Sequence, residues 1–132
     1  MNKLVVIGIT LLLVIGGGVF YRRVFLAGGK ICGSNQGEAV TWEMRSKENK
    51  WQFDPAVLEV KKCDKITLNI YNEDAYDHGF AIDVFGVSQR LSPHAPTTVT
   101  FTASQPGEHT FYCSVPCGEG HFEQKGKIVV GE

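Results

Sequence analysis

A chain of 132 residues, 43% hydrophobic and 20% charged, is long enough for one small domain plus a short terminal segment and too apolar to be a disordered tract. The first 30 residues carry four basic side chains (Lys3, Arg22, Arg23 and Lys30) and no acidic one, which leaves nine basic against 14 acidic residues over the other 102. A mildly acidic body argues against nucleic acid as a partner, because phosphate contacts need a basic face.

In chain order, the first feature is Leu4–Tyr21, LVVIGITLLLVIGGGVFY, an uncharged run close to the lower limit for a membrane-spanning helix. A signal peptide would end in a small-x-small cleavage site, whereas this run meets Arg22-Arg23-Val24-Phe25. A lipoprotein cysteine is a poor match, since Lys30 and Ile31 precede Cys32. The expectation is an uncleaved anchor helix over about 4–21 within an N-terminal segment 1–30, followed by a domain over 31–132. Counting positive charges would place the Arg22/Arg23 side in the cytoplasm. The site chemistry described below favours the opposite, extracytoplasmic face, and that placement is the one adopted.

After Lys30 the pattern is β. Glu38–Arg45 alternates apolar and polar residues, and short runs rich in Val, Ile, Thr, Phe and Tyr follow at Leu58–Val60, Lys65–Tyr71, Phe80–Val84, Thr97–Thr102, Glu108–Cys113 and Lys127–Val130. Turn signals separate them: FDP at 53–55, KCDK at 62–65, NEDAYDHG at 72–79, SPHAP at 92–96 and QPG at 105–107. No ten-residue window shows helical periodicity. Some seven short strands at this spacing predict an all-β antiparallel sandwich or barrel.

The chemistry concentrates in Phe111–Val130, FYCSVPCGEGHFEQKGKIVV. Cys113 lies where a strand opens into a loop, Gly118 and Gly120 let that loop fold tightly, and Gly126 with Lys127–Val130 returns the chain to a strand. Cys113, Cys117 and His121 therefore converge from a loop pinned at both ends. Two thiolates with one imidazole select copper or zinc over magnesium or calcium. A further donor must come from elsewhere, and His78 in YDHGFAI is the best placed, at a loop–strand junction beside Gly79. His94 reads as a solvated loop residue and His109 as structural or surface. The same cysteine spacing also serves a disulfide, a structural zinc site or a catalytic cysteine–histidine pair.

At these residues the chain resembles the dinuclear copper (CuA) domain of cytochrome oxidase subunit II, a cupredoxin family whose loop reads C-x3-C-x3-H-x2-M with an upstream histidine. The resemblance runs from about Trp51 to Val130 and includes FDPAVLEVKK and YDHGFAI. It implies a cupredoxin-like Greek-key β-sandwich or barrel and two copper ions bridged by the thiolates of Cys113 and Cys117. His78 would bind one ion and His121 the other, with a backbone carbonyl from Val115. Pro116, which follows, stiffens the loop. The family's methionine falls at Gln124. Glutamine replaces methionine as a weak axial ligand in related copper sites, and its harder amide oxygen would lower the reduction potential. In the alternative, Gln124 faces solvent, and Val115 O with water completes the shell. Glu123 is out of register by one.

Such a site passes one electron at a time and has no open position for substrate, so no catalysis is expected from this chain alone. The implied partners are a membrane, a cytochrome c or another cupredoxin as electron donor, and a haem–copper oxidase catalytic subunit as acceptor. The chain is short for an oxidase subunit and lacks the usual two-helix hairpin. A stand-alone cupredoxin with one copper ion, for electron transfer or copper handling, is the second reading, and a zinc-stabilised binding domain the third.

Three further features complete the reading. Cys63 occupies a turn where the family usually has glycine. In an oxidising compartment it would pair with Cys32; otherwise both are independent thiols. Glu73, Asp74, Asp77, Glu119 and Glu123 would rim the site with acids if the two loops meet, and steer a basic donor. Tyr71, Tyr76, Phe80 and Phe122 are candidates for an apolar docking patch, with Phe80 better suited to the core.

Overall fold

The pattern of inward-facing residues builds a two-layer β-sandwich. The computed structural model describes Gly17, residues 32–33 and residues 36–132. Among the described residues no helix is long and apolar enough to cross a membrane. The expected anchor at about 4–21 falls, Gly17 aside, outside them.

Within the unit Cys32–Glu132 the strands are β1 (Ala39–Lys47), β2 (Gln52–Asp54), β3 (Val57–Lys61), β4 (Lys65–Asn72), β5 (His78–Ile82), β6 (Val87–Leu91), β7 (Pro96–Thr102), β8 (Gly107–Tyr112) and β9 (Lys125–Gly131). One sheet has the order β2-β1-β4-β7 and the other β3-β9-β8-β5-β6. The period-2 rule holds well in β4, where Ile66, Leu68, Ile70 and Asn72 turn inward while Lys65 and Tyr71 are exposed. In the core, Phe53, Phe80 and Phe111 are fully buried, and Phe53 meets both other rings edge-on at centroid distances of 5.5 and 5.7 Å. Such aromatic pairs add roughly 0.5–1.5 kcal/mol each beyond their area.

Four points of the sequence reading are corrected. The sheets are not purely antiparallel: β1 runs parallel to β4, and β3 parallel to β9. The connection from β1 to β4 crosses to the other sheet to form β3, which returns the chain to the first sheet in the same direction. Gln52–Asp54, part of which was read as a turn, pairs with β1 at Arg45–Lys47. Val87–Leu91 forms an edge strand beside β5, hidden in the sequence because Ser88, Gln89 and Arg90 are all exposed. The run Phe80–Val84 is shifted: its strand begins at His78 and gives way to a 3-10 turn at Asp83–Phe85.

Cys32 and Cys63 form a disulfide, rather than the two independent thiols that the sequence left as the alternative. Cys63 has φ 71°, the left-handed region that favours glycine. Gly37 lies against its carbonyl so closely that a Cβ there would collide. The Asp64 carboxylate accepts the N–H groups of Glu38 (3.0 Å) and Lys61 (2.9 Å), so the entering segment is tied to this turn by polar bonds as well. Those two bonds, Glu38 first, hold the Asp64 carboxyl below its ordinary value.

Candidate metal centre

The loop from Cys113 to Gln124 joins β8 to β9, and the Cys113 N–H donates to the Gln124 carbonyl at 2.9 Å, closing its neck. The second wall comes from the segment before β5. Asn72, buried at the end of β4, donates to the Tyr76 carbonyl (2.8 Å) and accepts the Asp74 N–H (3.0 Å), which shapes the turn that delivers His78. Gly79 then lets the two walls touch: a Cβ there would lie 2.7 Å from the Val115 nitrogen and press on the Ser114 hydroxyl. Its own N–H points at Cys113 Sγ, 3.3 Å away.

The donor atoms form an ordered series. His78 Nδ1 lies 3.8 Å from Cys113 Sγ, Cys113 Sγ lies 3.5 Å from Cys117 Sγ, and Cys117 Sγ lies 3.6 Å from His121 Nδ1. The first three atoms lie within 4.8 Å of one another. Val115 O is 3.2 Å from Cys113 Sγ, and Gln124 Oε1 is 3.4 Å from Cys117 Sγ. A disulfide would need the sulfurs at about 2.05 Å, so Cys113 and Cys117 are two separate thiols. Ligands that share a metal at roughly 2.0–2.3 Å stand about 3.3–3.8 Å apart at tetrahedral angles. The donor set therefore fits a soft transition metal in both chemistry and spacing.

All the residues singled out for metal binding are thus gathered in one place: His78, Cys113, Val115, Cys117, His121 and Gln124. Gln124 is 0% exposed, which removes the solvent-facing alternative for its side chain. Glu123 is exposed. His94 is exposed, and His109 sits against Phe85 with its ring nitrogen 3.0 Å from the Gln105 carbonyl.

The electrostatics follow from burial and contact. Burial raises the Cys113 thiol, but the hydrogen bonds of His78 and of the Gly79 N–H outweigh it and bring the thiol down to about 6. Burial raises Cys117 as well, and the charge of Cys113 beside it pushes it up to about 12. The metal-free pair holds one proton between two sulfurs. His78, disfavoured as a cation by burial, is nevertheless raised by its bonds to Cys113 and Asp74.

Three residues that support the ligands were not recognised as such in the sequence. Asp74, read as a rim acid, is 1% exposed and lies 2.7 Å from His78 Nε2, the carboxylate–histidine arrangement that fixes a ligand's ring and tautomer. Its spacing, four residues before His78, was the available signal. Trp51 donates from its indole N–H to the Cys117 carbonyl at 3.3 Å, and its ring lies against Gly118 and Gly120. Ser46 accepts from Gln124 Nε2 at 2.8 Å. Neither Trp51 nor Ser46 lies near the motif in sequence.

The acid rim is also revised. Glu73 pairs with Arg45 (3.1 Å) and Lys47 (3.2 Å), and Asp77 with Arg90 (2.9 Å). With Asp74 buried, Glu119 and Glu123 are the exposed acids of that group. Of the apolar candidates, Phe80 is core, Tyr71 lies against Arg45, Tyr76 is half-buried beside His78, and Phe122 is 81% exposed with its ring 5.0 Å from that of His121.

The profile of the Cupredoxin-like domain family matches residues 24–130. The nitrous-oxide reductase of Stutzerimonas stutzeri is 39% identical over 81 residues, covering 59% of this chain and 13% of that protein. Cytochrome c oxidase subunit 2 of Thermus thermophilus is 32% identical over 80 residues, covering 61% of this chain and 58% of that protein. The chain thus spans a small part of the reductase and over half of the oxidase subunit. Among solved structures, the periplasmic domain of subunit II of cytochrome oxidase from Bradyrhizobium japonicum superposes with a TM-score of 0.62 at 20% identity, over 74% of this chain and 87% of that one. Auracyanin A, a "blue" copper protein from Chloroflexus aurantiacus, superposes with a TM-score of 0.61 at 22% identity, over 70% of this chain and 99% of that one. These superpositions bear on the fold, and together with the family profile they place the chain in the cupredoxin-like domain family.

Proposed function

We propose that this chain is a copper-binding electron-transfer domain with a dinuclear CuA-type centre, similar to subunit II of a cytochrome oxidase. Cys113 and Cys117 would hold the copper through their thiolates and His78 and His121 through their imidazoles, with Val115 O and the Gln124 amide oxygen as weaker donors. The observation that carries this reading is the order of the donors. The two histidines flank the sulfur pair, each within reach of a different cysteine, at 3.8 and 3.6 Å. A bound copper pair would supply one-electron redox chemistry with the unpaired electron shared across both ions.

The chain's own residues hold that centre still. Asp74 orients His78, the Gly79 N–H caps the Cys113 sulfur, and the Trp51 indole fixes the Cys117 carbonyl. A site held from four separate segments resists geometric change on gaining an electron, which suits a relay better than a catalyst. Phe122, exposed beside His121, supplies apolar surface where a donor such as a cytochrome c or another cupredoxin would dock. The acceptor in this reading is the catalytic subunit of a haem–copper oxidase, with the domain held on the extracytoplasmic face by the segment at about 4–21.

Electron paramagnetic resonance of the copper-loaded protein tests the reading. One electron shared by two equivalent copper nuclei of spin 3/2 splits into seven lines. Four lines instead would mean one copper and a stand-alone mononuclear cupredoxin, and silence with bound zinc would mean a structural zinc domain.

A further inference from the structure

The Gln124 side chain poses a question that the ligand reading alone leaves open. A primary amide has two unlike ends. Its oxygen is a ligand and an acceptor; its nitrogen only donates. Gln124 is fully buried beside Cys117, and either end could in principle face the sulfur. Facing it with nitrogen would give an N–H···S hydrogen bond, and facing it with oxygen would offer a bound metal an oxygen donor. The two arrangements have opposite consequences for the charge on the sulfur.

What orients the amide lies 78 residues away in sequence, on β1: the Ser46 hydroxyl stands 2.8 Å from Gln124 Nε2. Ser46 is itself fully buried, and its backbone is held from both sides, opposite Phe53 on β2 and Asn72 on β4. Its carbonyl also accepts the Glu73 N–H at 3.0 Å, one residue before the Asp74 that steadies His78. The hydroxyl oxygen is therefore held in place beside the amide nitrogen, the end of the amide that can only donate, and accepts from it. A buried N–H without a partner is costly, so an oxygen-inward Gln124 depends on it.

We infer that Ser46 is a positioning residue that holds the Gln124 amide with its oxygen toward the metal centre and its nitrogen away from Cys117. This rests on the proposed copper reading and adds to it the residue that decides how glutamine substitutes for the family's methionine. With Ser46→Ala, the buried amide nitrogen loses its acceptor and turns to the Cys117 sulfur that the amide already borders. The centre then loses an oxygen donor and gains a hydrogen bond to sulfur, and both changes favour the reduced state.

The test measures reduction potentials for the copper-loaded wild type, Ser46→Ala, Gln124→Met and the double variant. It is joined to the side-chain amide signals of Gln124 in the nitrogen–proton spectrum of the metal-free protein. Ser46→Ala is expected to raise the potential in the same direction as Gln124→Met, to add nothing in the Gln124→Met background, and to abolish slow exchange of the Gln124 amide protons without copper. A Ser46→Ala shift of equal size in both backgrounds would mean that the serine acts through the fold and would overturn the inference. A silent Ser46→Ala beside a normal Gln124→Met shift would overturn the Ser46 role and leave the ligand reading standing. An unchanged potential in Gln124→Met itself would remove the ligand reading, and this inference with it.

Discussion

The two ends of the sandwich use the same residue type in opposite ways. β4, β8 and β9 each run from one end to the other. At one end Cys32 and Cys63 are covalently joined; at the other Cys113 and Cys117 stand 3.5 Å apart as separate thiols. The difference lies in what surrounds the sulfurs. Around Cys63 stand Gly37, against its carbonyl, and the Gln36 amide oxygen, 3.8 Å from its sulfur, both from the entering segment, with no imidazole or free thiol beside them among the described residues. Around Cys113 and Cys117 stand groups able to ligate a metal, two imidazoles, a carbonyl and an amide oxygen, and the Gly79 N–H donates to the Cys113 sulfur. One pair is built to tie the chain together and the other to share an ion.

Exchanging the cysteines tests that division most severely. Cys113→Ser is expected to abolish the two-copper centre, because one thiolate is left where two are needed and a hydroxyl is a poor ligand for soft metals; a fall in copper from two per chain to one or none, with loss of the seven-line resonance pattern, would show it. The double variant Cys32→Ser/Cys63→Ser is expected to do the reverse. It should cost about 2–4 kcal/mol of stability in chemical denaturation, in line with a closed loop of sequence separation 31, while leaving the copper spectrum unchanged. A disulfide variant with an altered copper spectrum would break the separation of roles.

A smaller effect is expected at Asp74, which belongs to the metal end without touching the metal. Asp74→Asn keeps one oxygen near His78 but removes the charge that favours the protonated ring nitrogen facing it. Loss of such a partner typically weakens metal affinity 10- to 100-fold. Competition with a copper chelator reads that loss directly. An unchanged affinity would reduce Asp74 to a fold residue, serving only the Asn49 N–H that it also accepts at 2.8 Å.

These sites differ in how openly the sequence declared them, and the reason is chain distance. Cys113, Cys117, His121 and Gln124 lie within one loop, so their spacing was visible at once, and Gly79 marked His78 as the place where a second wall could approach. Asp74 was legible in principle, four residues from its histidine, but its run of neighbouring acids disguised it as surface. Trp51 and Ser46 reach the site across separations of 66 and 78 residues and carry no local signature. The strands with clean alternation, such as β4, were found nearly to the residue. β6 was not, because Gln89, which shares the parity of the buried Val87 and Leu91, is polar and exposed, so no alternation shows. The parallel pairing of β1 with β4 depends on where the intervening strand crosses between sheets, which no local pattern records.

The smallest predicted effect belongs to the disulfide end and concerns acid. Asp64 sits beside Cys63, is 4% exposed, and accepts two backbone N–H groups, from Glu38 and then Lys61, which hold its carboxyl below the ordinary value. In the unfolded chain the same group titrates near about 3.9. The unfolded state therefore takes up the proton first as pH falls, and the stabilisation is fully present above about pH 4 and is lost as pH drops through the lower folded value. Asp64→Asn cannot ionise, so its unfolding free energy should follow a flatter acid limb. The variant is expected to lie below the wild type at neutral pH and converge on it in strong acid. Other carboxylates, including Glu73 and Asp77, are lowered as well and contribute to the wild-type slope, so the difference between the two curves isolates Asp64. Parallel curves would show that the carboxylate acts only as a neutral acceptor, and that this end of the sandwich is held by the disulfide without help from charge.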